Sequence, residues 1–309
     1  MTRAVVFAYS EVGVRCVREL LAQGIEIPLL FTHSDDPSET QWFGSVRKMA
    51  AEAHHLRVET PDTPNTPEWI AEGRAADPDF LFSFYYRYML DRAWLNVPRR
   101  GALNMHGSLL PKYRGRAPVH WAILNGESAT GASLHYMVEK PDAGALVDQQ
   151  SVPILENDTA LDVSLKVAEA AEQVLRRSLP ALIAGTAPAQ ALDLSRGSYF
   201  GRRRPEDGRI DWRGTARTVH NLVRAVAPPF PGAFTEVNGC RLAVLETRVD
   251  TEPARYLTQA PCLYAADGEW YADCVDGRRL RIVRLAMNGE PVPPDSPPPP
   301  LAHQPLALV

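Results

Sequence analysis

The sequence predicts an α/β protein with a Rossmann-like, mostly parallel sheet, followed by a smaller C-terminal β-barrel subdomain. In residues 1–190, short apolar runs alternate with amphipathic helical stretches, which is typical of a parallel sheet covered by helices. After them, short strands are separated by Asn-Gly and Asp-Gly turns, which favours an antiparallel barrel. With 309 residues and about 150 residues per domain, the chain has room for two hydrophobic cores.

The strands and helices of the first domain follow from the spacing of apolar residues. The predicted strands cover residues 4–8, 25–33, 57–60, 79–86, 101–107 and 131–138. The predicted helices cover residues 12–24, 45–56, 67–78 and 158–183. Gly24 suits the end of the first helix because glycine adopts the left-handed conformation easily. Pro78 ends the third helix because it lacks the N–H that a helix needs.

The second half of the chain carries hairpin signals and a proline-rich end. Asn238-Gly239, Asp267-Gly268 and Asp276-Gly277 each stand beside short apolar runs, as in two-residue hairpin turns. The sequence therefore predicts a catalytic domain over residues 1–190, a linker loop over 191–205 and a barrel over 206–290. The prolines of the tail, residues 291–309, cannot donate ladder hydrogen bonds, and we expect this tail to be disordered.

Composition and charge exclude several classes of function. Lys and Arg total 33 against 37 for Asp and Glu, a formal net charge of -4, so the basic excess of a nucleic-acid-binding protein is missing. The 4 cysteines lack metal-ligand spacing, and we expect reduced thiols and no bound metal. Without a signal peptide or an apolar run of about 20 residues, we predict a cytoplasmic protein with no membrane partner. A lone Gly13 in the first strand-to-helix turn argues against dinucleotide binding.

The segment that indicates chemistry is NMHGSLLPKYRGRAPVHWAILNGE, which begins at Asn104. Asn104 and His106 lie two residues apart at the end of a predicted strand, so their side chains leave on the same face, at the edge where parallel sheets bind ligands. An amide can donate to an oxyanion, and an imidazole can accept a proton near neutral pH. Asp142 is the best candidate for a carboxylate that orients the imidazole. Taken singly, each residue is more often structural, but their joint occurrence favours a catalytic site.

The stretches NMHGSLLPKYRGRAP and TGASLHYMVEKPDAGALV resemble the signature of formyltransferases that use N10-formyltetrahydrofolate. That signature contains Asn-x-His, a Ser-Leu-Leu-Pro loop and a distant Asp before a glycine, and all three stand here in order. The resemblance covers residues 1–185 as the folate-binding catalytic domain and continues into the C-terminal barrel. It implies the formyltransferase fold, N10-formyltetrahydrofolate as co-substrate and no metal.

The resemblance also implies roles for individual residues. His106 is implied as the general base, Asn104 as a donor to the developing oxyanion, and Asp142 as the carboxylate that holds the tautomer of His106 and stabilises its charged form. Residues implied in folate binding, largely through backbone groups, are Tyr88, Met89, Leu90, Arg116, Val138, Glu139, Lys140, Pro141 and Asp142. Residues implied in binding a sugar nucleotide are Tyr113, Arg114, Arg202 and Arg203. Without the resemblance, these stretches would be interpreted as core packing and a solvated basic loop.

Within that family, the sequence is most similar to the domain that formylates UDP-4-amino-4-deoxy-L-arabinose in the bifunctional enzyme of lipid A modification and polymyxin resistance. The stretches VVFAYSEVG, LLFTHSDDP, FSFYYRYML and HNLVRAVAPPFPGAF carry this similarity. Formyltransferases for dTDP- or GDP-linked amino sugars are one alternative, and methionyl-tRNA formyltransferase is another. The tRNA enzyme has a basic loop after its second strand, whereas here that loop carries Asp35, Asp36 and Glu39, which would repel phosphate.

Three further alternatives have less support. A glycinamide ribonucleotide formyltransferase needs only the first domain, and a formate-releasing hydrolase has no feature in its favour. A silent folate- or nucleotide-binding module is opposed by the intact Asn104, His106 and Asp142. The predicted partners are therefore two small molecules, a UDP-linked amino sugar and the folate. The oligomeric state, a homo-oligomer included, stays open.

Overall fold

The structure is a computed structural model that describes residues 1–37, 41–52, 56–256 and 260–308. The chain forms two compact units. The first comprises Met1–Pro118, Ala129–Pro153 and Ser164–Gly201, and the second comprises Val119–Ser128, Ile154–Val163 and Arg202–Val309. Two short segments before residue 190 thus group with the second unit, which the predicted domain boundaries did not anticipate.

The first unit is built on a seven-stranded sheet with the order β3-β2-β1-β4-β5-β7-β8. Strands β1 to β5 of this sheet pair in parallel, and β7 and β8 add to it antiparallel. This confirms the predicted Rossmann-like, mostly parallel sheet. The strands up to residue 201 are β1 (Arg3–Ala8), β2 (Glu26–Phe31), β3 (Val58–Glu59), β4 (Phe80–Phe84), β5 (Gly101–His106), β6 (Arg114–Gly115), β7 (Ala129–Tyr136), β8 (Leu146–Pro153) and β9 (Tyr199–Phe200).

Six helices accompany these strands in the described part of the chain: α1 (Ser10–Ala22), α2 (Val46–Glu52), α3 (Pro67–Ala75), α4 (Arg92–Leu95), α5 (Pro118–Leu124) and α6 (Ala160–Ala184). The chain turns after α1 at Gly24, whose φ of 75° is left-handed. Helix α3 begins with Pro67, and Thr66 accepts a hydrogen bond from the N–H of Trp69. The predicted extension of α2 to residue 56 passes through 53–55, which lie outside the described residues. No helix of the described ranges is long and apolar enough to cross a membrane.

The central strands are apolar on successive residues because both of their faces are buried. All five residues of β4, Phe80–Phe84, are buried. The Phe7 and Phe31 rings stack with centroids 4.6 Å apart, and Trp94 meets Phe7 edge-on at 5.0 Å. This packing fixes the strands whose carboxyl ends carry the site residues.

The second unit has its own antiparallel sheet in the order β10-β11-β14-β13-β12-β16, with β15 paired to β14. This confirms the smaller C-terminal β subdomain, which is a curled half-barrel. Its elements are α7 (Ala216–Ala225), β10 (Ala233–Val237), β11 (Cys240–Pro253), β12 (Cys262–Ala266), β13 (Glu269–Asp273), β14 (Arg278–Met287), β15 (Glu290–Pro291) and β16 (Leu306–Ala307).

The hairpin turns of this sheet lie where the sequence predicts them. Asn238 and Gly239 have φ of 48° and 75°, and they join β10 to β11. Asp267 and Gly268 have φ of 53° and 76°, and they join β12 to β13. Two consecutive positive φ values are the mark of the type I′ turn, which matches the twist of the flanking strands.

The prediction that residues 291–309 are disordered is wrong for the part of this tail that the structure describes. Strand β16 pairs antiparallel with β12, and Leu306 stands opposite Leu263. Leu301, Leu306 and Leu308 are 0%, 5% and 3% exposed, and they belong to the core of the second unit. Prolines lack a ladder donor, but the leucines between and after them bury enough apolar surface to hold the tail in place.

Candidate active site

Asn104 and His106 lie at the carboxyl end of β5. In the antiparallel pairing with β7, Asn104 stands opposite His135, and Asn104 Nδ2 lies 3.2 Å from His135 Nε2. His106 and His135 are buried, at 6% and 2% exposure. The strand register therefore brings a second imidazole into the predicted site.

Asp142 reaches the same point from the turn between β7 and β8. Its Oδ1 atom lies 3.6 Å from His106 Nδ1, 3.5 Å from His135 Nε2 and 3.4 Å from Asn104 Nδ2. Its φ of 51° is left-handed, a conformation that is uncommon outside glycine and that recurs at functional sites. The structure thus brings together the three residues that the sequence singles out.

The other ring nitrogen of His106 fixes the tautomer of the imidazole. His106 Nε2 lies 2.8 Å from the carbonyl oxygen of Tyr113, and because a carbonyl only accepts, Nε2 carries the proton. Nδ1, which faces Asp142, is then the basic nitrogen of the neutral ring. The geometry therefore gives the tautomer-holding role to Tyr113 instead of Asp142. Asp142 is placed to stabilise the imidazolium after Nδ1 gains a proton.

Strand β6 supports both residues through its backbone. The Gly115 N–H donates to Asp142 Oδ2 at 2.8 Å, two residues after the Tyr113 carbonyl that contacts His106. Strand β6 pairs in parallel with β9, and the Tyr113 N–H donates to Ser198 Oγ at 2.8 Å. The predicted linker loop over 191–205 thus contains β9, a strand that the sequence did not predict because two residues are too short to show hydrophobic alternation.

The electrostatics of the site separate the roles of the imidazole and the carboxylate. Burial lowers the pKa of His106 below its usual value of 6.5, although Asp142 and the Tyr113 carbonyl oppose this shift. Burial acts to raise the pKa of Asp142, but His106, His135 and the Gly115 N–H together hold it well below its usual range. Near neutral pH the site therefore holds a neutral imidazole beside an ionised carboxylate. Such a pair can accept a proton and stabilise the cation that results.

The Asn104 amide can supply a hydrogen bond to a third group. His135 Nδ1 donates to the Tyr136 carbonyl oxygen at 2.8 Å, so that Nε2 of the neutral ring is an acceptor. The two acceptors of the Asn104 amide, Asp142 Oδ1 and His135 Nε2, lie 3.5 Å apart, so that one N–H can point between them. The second N–H is then available for an oxygen that becomes negative during a reaction.

The first stretch implied in folate binding follows β4. Tyr88 and Met89 are 43% and 53% exposed, whereas Leu90 is buried in the cluster that contains Trp94. Asn65 Nδ2 donates to the carbonyl of Met89 at 2.8 Å, which holds the backbone of this stretch. Backbone groups and two exposed side chains are therefore presented here, and the Leu90 side chain is part of the core.

The second stretch is the turn Val138–Asp142. Val138 is exposed, and Glu139 pairs with Arg92 at 3.3 Å on the surface. Lys140 is also exposed, and the turn becomes buried only toward Asp142. This turn thus joins an accessible rim to the buried carboxylate.

Of three residues in the loop after His106, Tyr113 and Arg114 are buried and Arg116 is exposed. The Tyr113 ring stacks on Phe200 with centroids 5.3 Å apart. Arg114 is 8% exposed, whereas Arg116 is exposed and its backbone N–H donates to the Phe200 carbonyl at 3.0 Å.

Arg202 and Arg203 belong to the second unit. Arg202 is exposed. The Arg203 guanidinium lies 5.0 Å from the centroid of the Trp121 ring and donates to the carbonyl of Asp207 at 2.8 Å. Arg203 is therefore ordered by partners of its own unit.

Sequence reasoning missed His135 and Ser198 at this site. His135 stands in the predicted strand 131–138, but its partner across the sheet depends on a strand register that one sequence does not reveal. Ser198 acts on the backbone of Tyr113, and a side chain that supports a backbone group leaves no motif.

Comparisons with known proteins identify the family of this chain. Residues 3–179 match the formyl transferase family, and residues 203–292 match the formyl transferase C-terminal domain. The structure is similar to that of WlaRD, a sugar 3N-formyl transferase solved in the presence of dTDP and 5-N-formyl-THF, with 19% identity, a TM-score of 0.72 and coverage of 94% of this chain and 99% of that chain.

Two further solved structures are similar. An N-formyltransferase from Helicobacter canadensis in complex with folinic acid and dTDP-3-aminofucose is 19% identical, with a TM-score of 0.72 over 91% of this chain and 99% of that chain. A 4-N formyltransferase from Francisella tularensis is 18% identical, with a TM-score of 0.62 over 78% of this chain and 95% of that chain. These similarities show a shared fold. Because the N-terminal family match alone covers more than half of the sequence, this chain belongs to the formyl transferase family.

Proposed function

We propose that the protein transfers a formyl group from N10-formyltetrahydrofolate to the 4-amine of a UDP-linked amino sugar, UDP-4-amino-4-deoxy-L-arabinose, for lipid A modification. The observation that carries this proposal is the convergence of Asn104 and His106 on Asp142: Asn104 Nδ2 and His106 Nδ1 lie 3.4 and 3.6 Å from Asp142 Oδ1. Membership of the formyl transferase family supports the reaction class. The sugar and its nucleotide are supported by the sequence stretches that resemble the arabinose enzyme.

The proposed reaction uses His106 as a proton carrier. The neutral sugar amine attacks the formyl carbon, a C–N bond forms, and the formyl oxygen becomes an oxyanion. His106 Nδ1 takes the amine proton, and the carboxylate of Asp142 stabilises the imidazolium. The C–N10 bond then breaks, and the same proton passes to N10 as tetrahydrofolate leaves. A second N–H of Asn104 donates to the oxyanion, an interaction worth about 3 kcal/mol in comparable sites.

We propose that the folate lies against the two stretches that present backbone and exposed apolar groups. The first consists of Tyr88, Met89 and Leu90, and the second is the turn Val138–Asp142, with Arg116 near the group in transfer. Tyr88 and Met89 are exposed and offer a surface for a flat heterocycle.

We propose that the sugar nucleotide uses Tyr113, Arg114, Arg202 and Arg203. Arginine suits phosphate because its planar guanidinium can donate two parallel hydrogen bonds. The proposed partners are therefore two small molecules, with no nucleic acid or membrane among them, and the proposed compartment is the cytoplasm.

A dTDP-linked amino sugar is the second candidate substrate. Two similar solved structures are described with dTDP or dTDP-3-aminofucose. Methionyl-tRNA formyltransferase has less support, because Asp35 and Asp36 follow β2, and the net charge is -4. Glu39, the third acidic residue of that predicted loop, lies outside the described residues.

The test is incubation of the protein with N10-formyltetrahydrofolate and a panel of UDP-, dTDP- and GDP-linked amino sugars, with release of tetrahydrofolate as the readout. We expect turnover with the UDP-linked 4-amino sugar. The His106→Ala variant is expected to bind folate and to lose about 10²- to 10⁴-fold in kcat. Turnover that is fastest with a dTDP sugar would favour the second candidate, and full activity of the variant would remove His106 from the mechanism.

A further inference from the structure

Arg114 is a buried arginine without an acidic partner among the residues that the structure describes. The residue is 8% exposed. Its Nε atom is fully buried and has no hydrogen-bond partner among the residues that the structure describes. Within the same described ranges, no carboxylate forms an ion pair with its guanidinium. Among these residues the guanidinium therefore has one buried N–H without an acceptor and no acidic partner.

Another buried arginine of this chain, by contrast, has hydrogen-bond acceptors for its guanidinium. Arg224, in the second unit, is 6% exposed. Its Nε and one terminal nitrogen donate to Asn221 Oδ1 at 3.0 and 2.9 Å. Its other terminal nitrogen donates to the carbonyl oxygens of Leu155 and Asp158 at 3.2 and 3.1 Å. Among the described residues Arg114 has no comparable set of acceptors, although the two arginines are buried to a similar degree. A buried donor without an acceptor and a charge without an acidic partner are unfavourable, so that the guanidinium is available to an anionic ligand.

Arg114 lies between two residues that contact the proposed reacting groups. Its two chain neighbours hold the site, since the Tyr113 carbonyl contacts His106 and the Gly115 N–H donates to Asp142. Its own backbone N–H donates to the carbonyl of Ser198 at 3.0 Å. Arg114 therefore stands in the chain between the two residues whose backbone groups contact His106 and Asp142, and its own backbone is held by Ser198.

We infer that Arg114 binds a phosphate of the nucleotide sugar, the one joined to the sugar ring, and so sets the distance between the anomeric end and the reacting amine. This inference rests on the proposed function. The co-substrate also carries carboxylates, but these belong to its glutamate, which is separated from N10 by an aromatic ring. The phosphate is bonded to the same sugar ring that carries the amine. An anion beside the reacting pair is therefore better matched by the phosphate.

The test is calorimetric titration of the full chain with UDP and, separately, with dTDP and with folinic acid. In Arg114→Gln the dissociation constant for UDP is expected to rise about tenfold or more, as for the loss of a hydrogen bond to a charged group. Arg114→Lys keeps the charge but loses the planar fork, and we expect an intermediate value. Folinic acid binding should stay unchanged. Arg18→Gln, at a side chain that is 61% exposed, is the matched control and should bind UDP like the wild type.

Thermal melting separates ligand binding from a structural role. If Arg114 binds an anion, the ligand-free Arg114→Gln variant is expected to melt at the wild-type temperature or above it, because a buried charge without an acidic partner has been removed. The rise in melting temperature that UDP produces in the wild type should be reduced in this variant. A lower melting temperature of the ligand-free Arg114→Gln variant would show a structural role and overturn the inference.

The remaining outcomes are also decisive. Wild-type affinity of Arg114→Gln for UDP, or no binding of UDP and dTDP to the wild type, would overturn the inference. Loss of folinic acid binding alone would assign the anion to the folate carboxylate. If the wild type formylates no amino sugar but binds UDP through Arg114, the proposed function fails while the phosphate contact stands. If it formylates a sugar nucleotide while Arg114→Gln binds UDP normally, only the inference fails.

Discussion

The two ring nitrogens of His106 face different groups, and this asymmetry determines what the residue can do. Nε2 donates to the Tyr113 carbonyl at 2.8 Å, while Nδ1 faces Asp142 at 3.6 Å. The first contact selects the neutral tautomer, and the second becomes favourable only when the ring is charged. Asp142 therefore favours proton uptake at His106 Nδ1, while the His106 ring is neutral before it takes the proton.

The pH dependence of the reaction follows from the burial of His106. Only the neutral imidazole accepts a proton, and burial lowers the pKa of His106 below 6.5. The neutral form therefore persists to more acidic pH, and the midpoint of the acid limb of kcat/KM is expected below pH 6.5. Asp142→Asn removes the charge that opposes this shift, so that the midpoint should fall further while kcat drops. The measurement is a pH–rate profile, with the ionisation of the sugar amine determined separately on the free substrate. A midpoint above 6.5 that does not belong to the amine would contradict this assignment.

His135 is expected to act as a positioning residue for Asn104. His135→Leu fills the buried position with an apolar side chain and removes the acceptor that lies 3.2 Å from Asn104 Nδ2. We expect kcat to fall about tenfold, equivalent to one lost hydrogen bond, with the folate KM unchanged. His135→Gln offers an oxygen acceptor and should restore part of kcat. Equal kcat values in the two variants would show that His135 only fills space.

At the residue scale the sequence was informative about groups that carry a motif. Asn104, His106 and Asp142 could be selected because their residue types and spacing match a known chemistry. The Tyr113 carbonyl could not be selected, since every residue has a carbonyl and only the fold decides which one meets His106. The unpaired charge of Arg114 was hidden for the same reason, because burial without partners is a property of the packed chain.

At the scale of elements, the short pair β6 and β9 connects the linker to the site. Both strands have two residues, and Arg114 pairs with Tyr199 and Gly115 with Phe200. The longer strands and hairpins could be predicted because apolar alternation and Asn-Gly or Asp-Gly turns extend over many residues. A strand of two residues has no such signal, and its partner is distant in the chain.

Gly115→Ala should disrupt this pair of strands. Gly115 has a φ of 95°, and a Cβ there would collide with the Phe200 carbonyl oxygen. We expect β6 to move away from β9, the Gly115 N–H to leave Asp142, and kcat to fall by about tenfold or more, as for a lost hydrogen bond to a charged group. Gly201→Ala is the matched control because a Cβ there meets open space. Steady-state kinetics of both variants measure the effect, and wild-type kcat in Gly115→Ala would argue against the support role of β6.

At the scale of the whole molecule, the two units each have a core of their own. The core of the second unit includes the tail leucines Leu301, Leu306 and Leu308 together with Trp212 and Trp270. The overall plan of an α/β domain followed by a β subdomain could be predicted from the change in hydrophobic pattern. That the tail is ordered could not be predicted. Its proline content shows that the backbone lacks hydrogen-bond donors, but it does not show which neighbouring leucines are buried.

Leu306→Ala is expected to destabilise the second unit by about 2–5 kcal/mol, the range for truncation of a buried leucine. Leu306 is 5% exposed and lies in the core of that unit. Leu155→Ala, at a leucine that is 58% exposed in the same unit, is the control and should change stability little. Denaturant unfolding followed by tryptophan fluorescence measures both. Equal midpoints for the two variants would mean that the tail does not contribute to stability.

The buried tail has a consequence for synthesis on the ribosome. The first unit has all of its segments once Gly201 has emerged from the exit tunnel. The second unit must wait for residues 301–308, which complete its core. During translation the apolar interior of the half-barrel therefore stays incomplete until these last leucines have emerged.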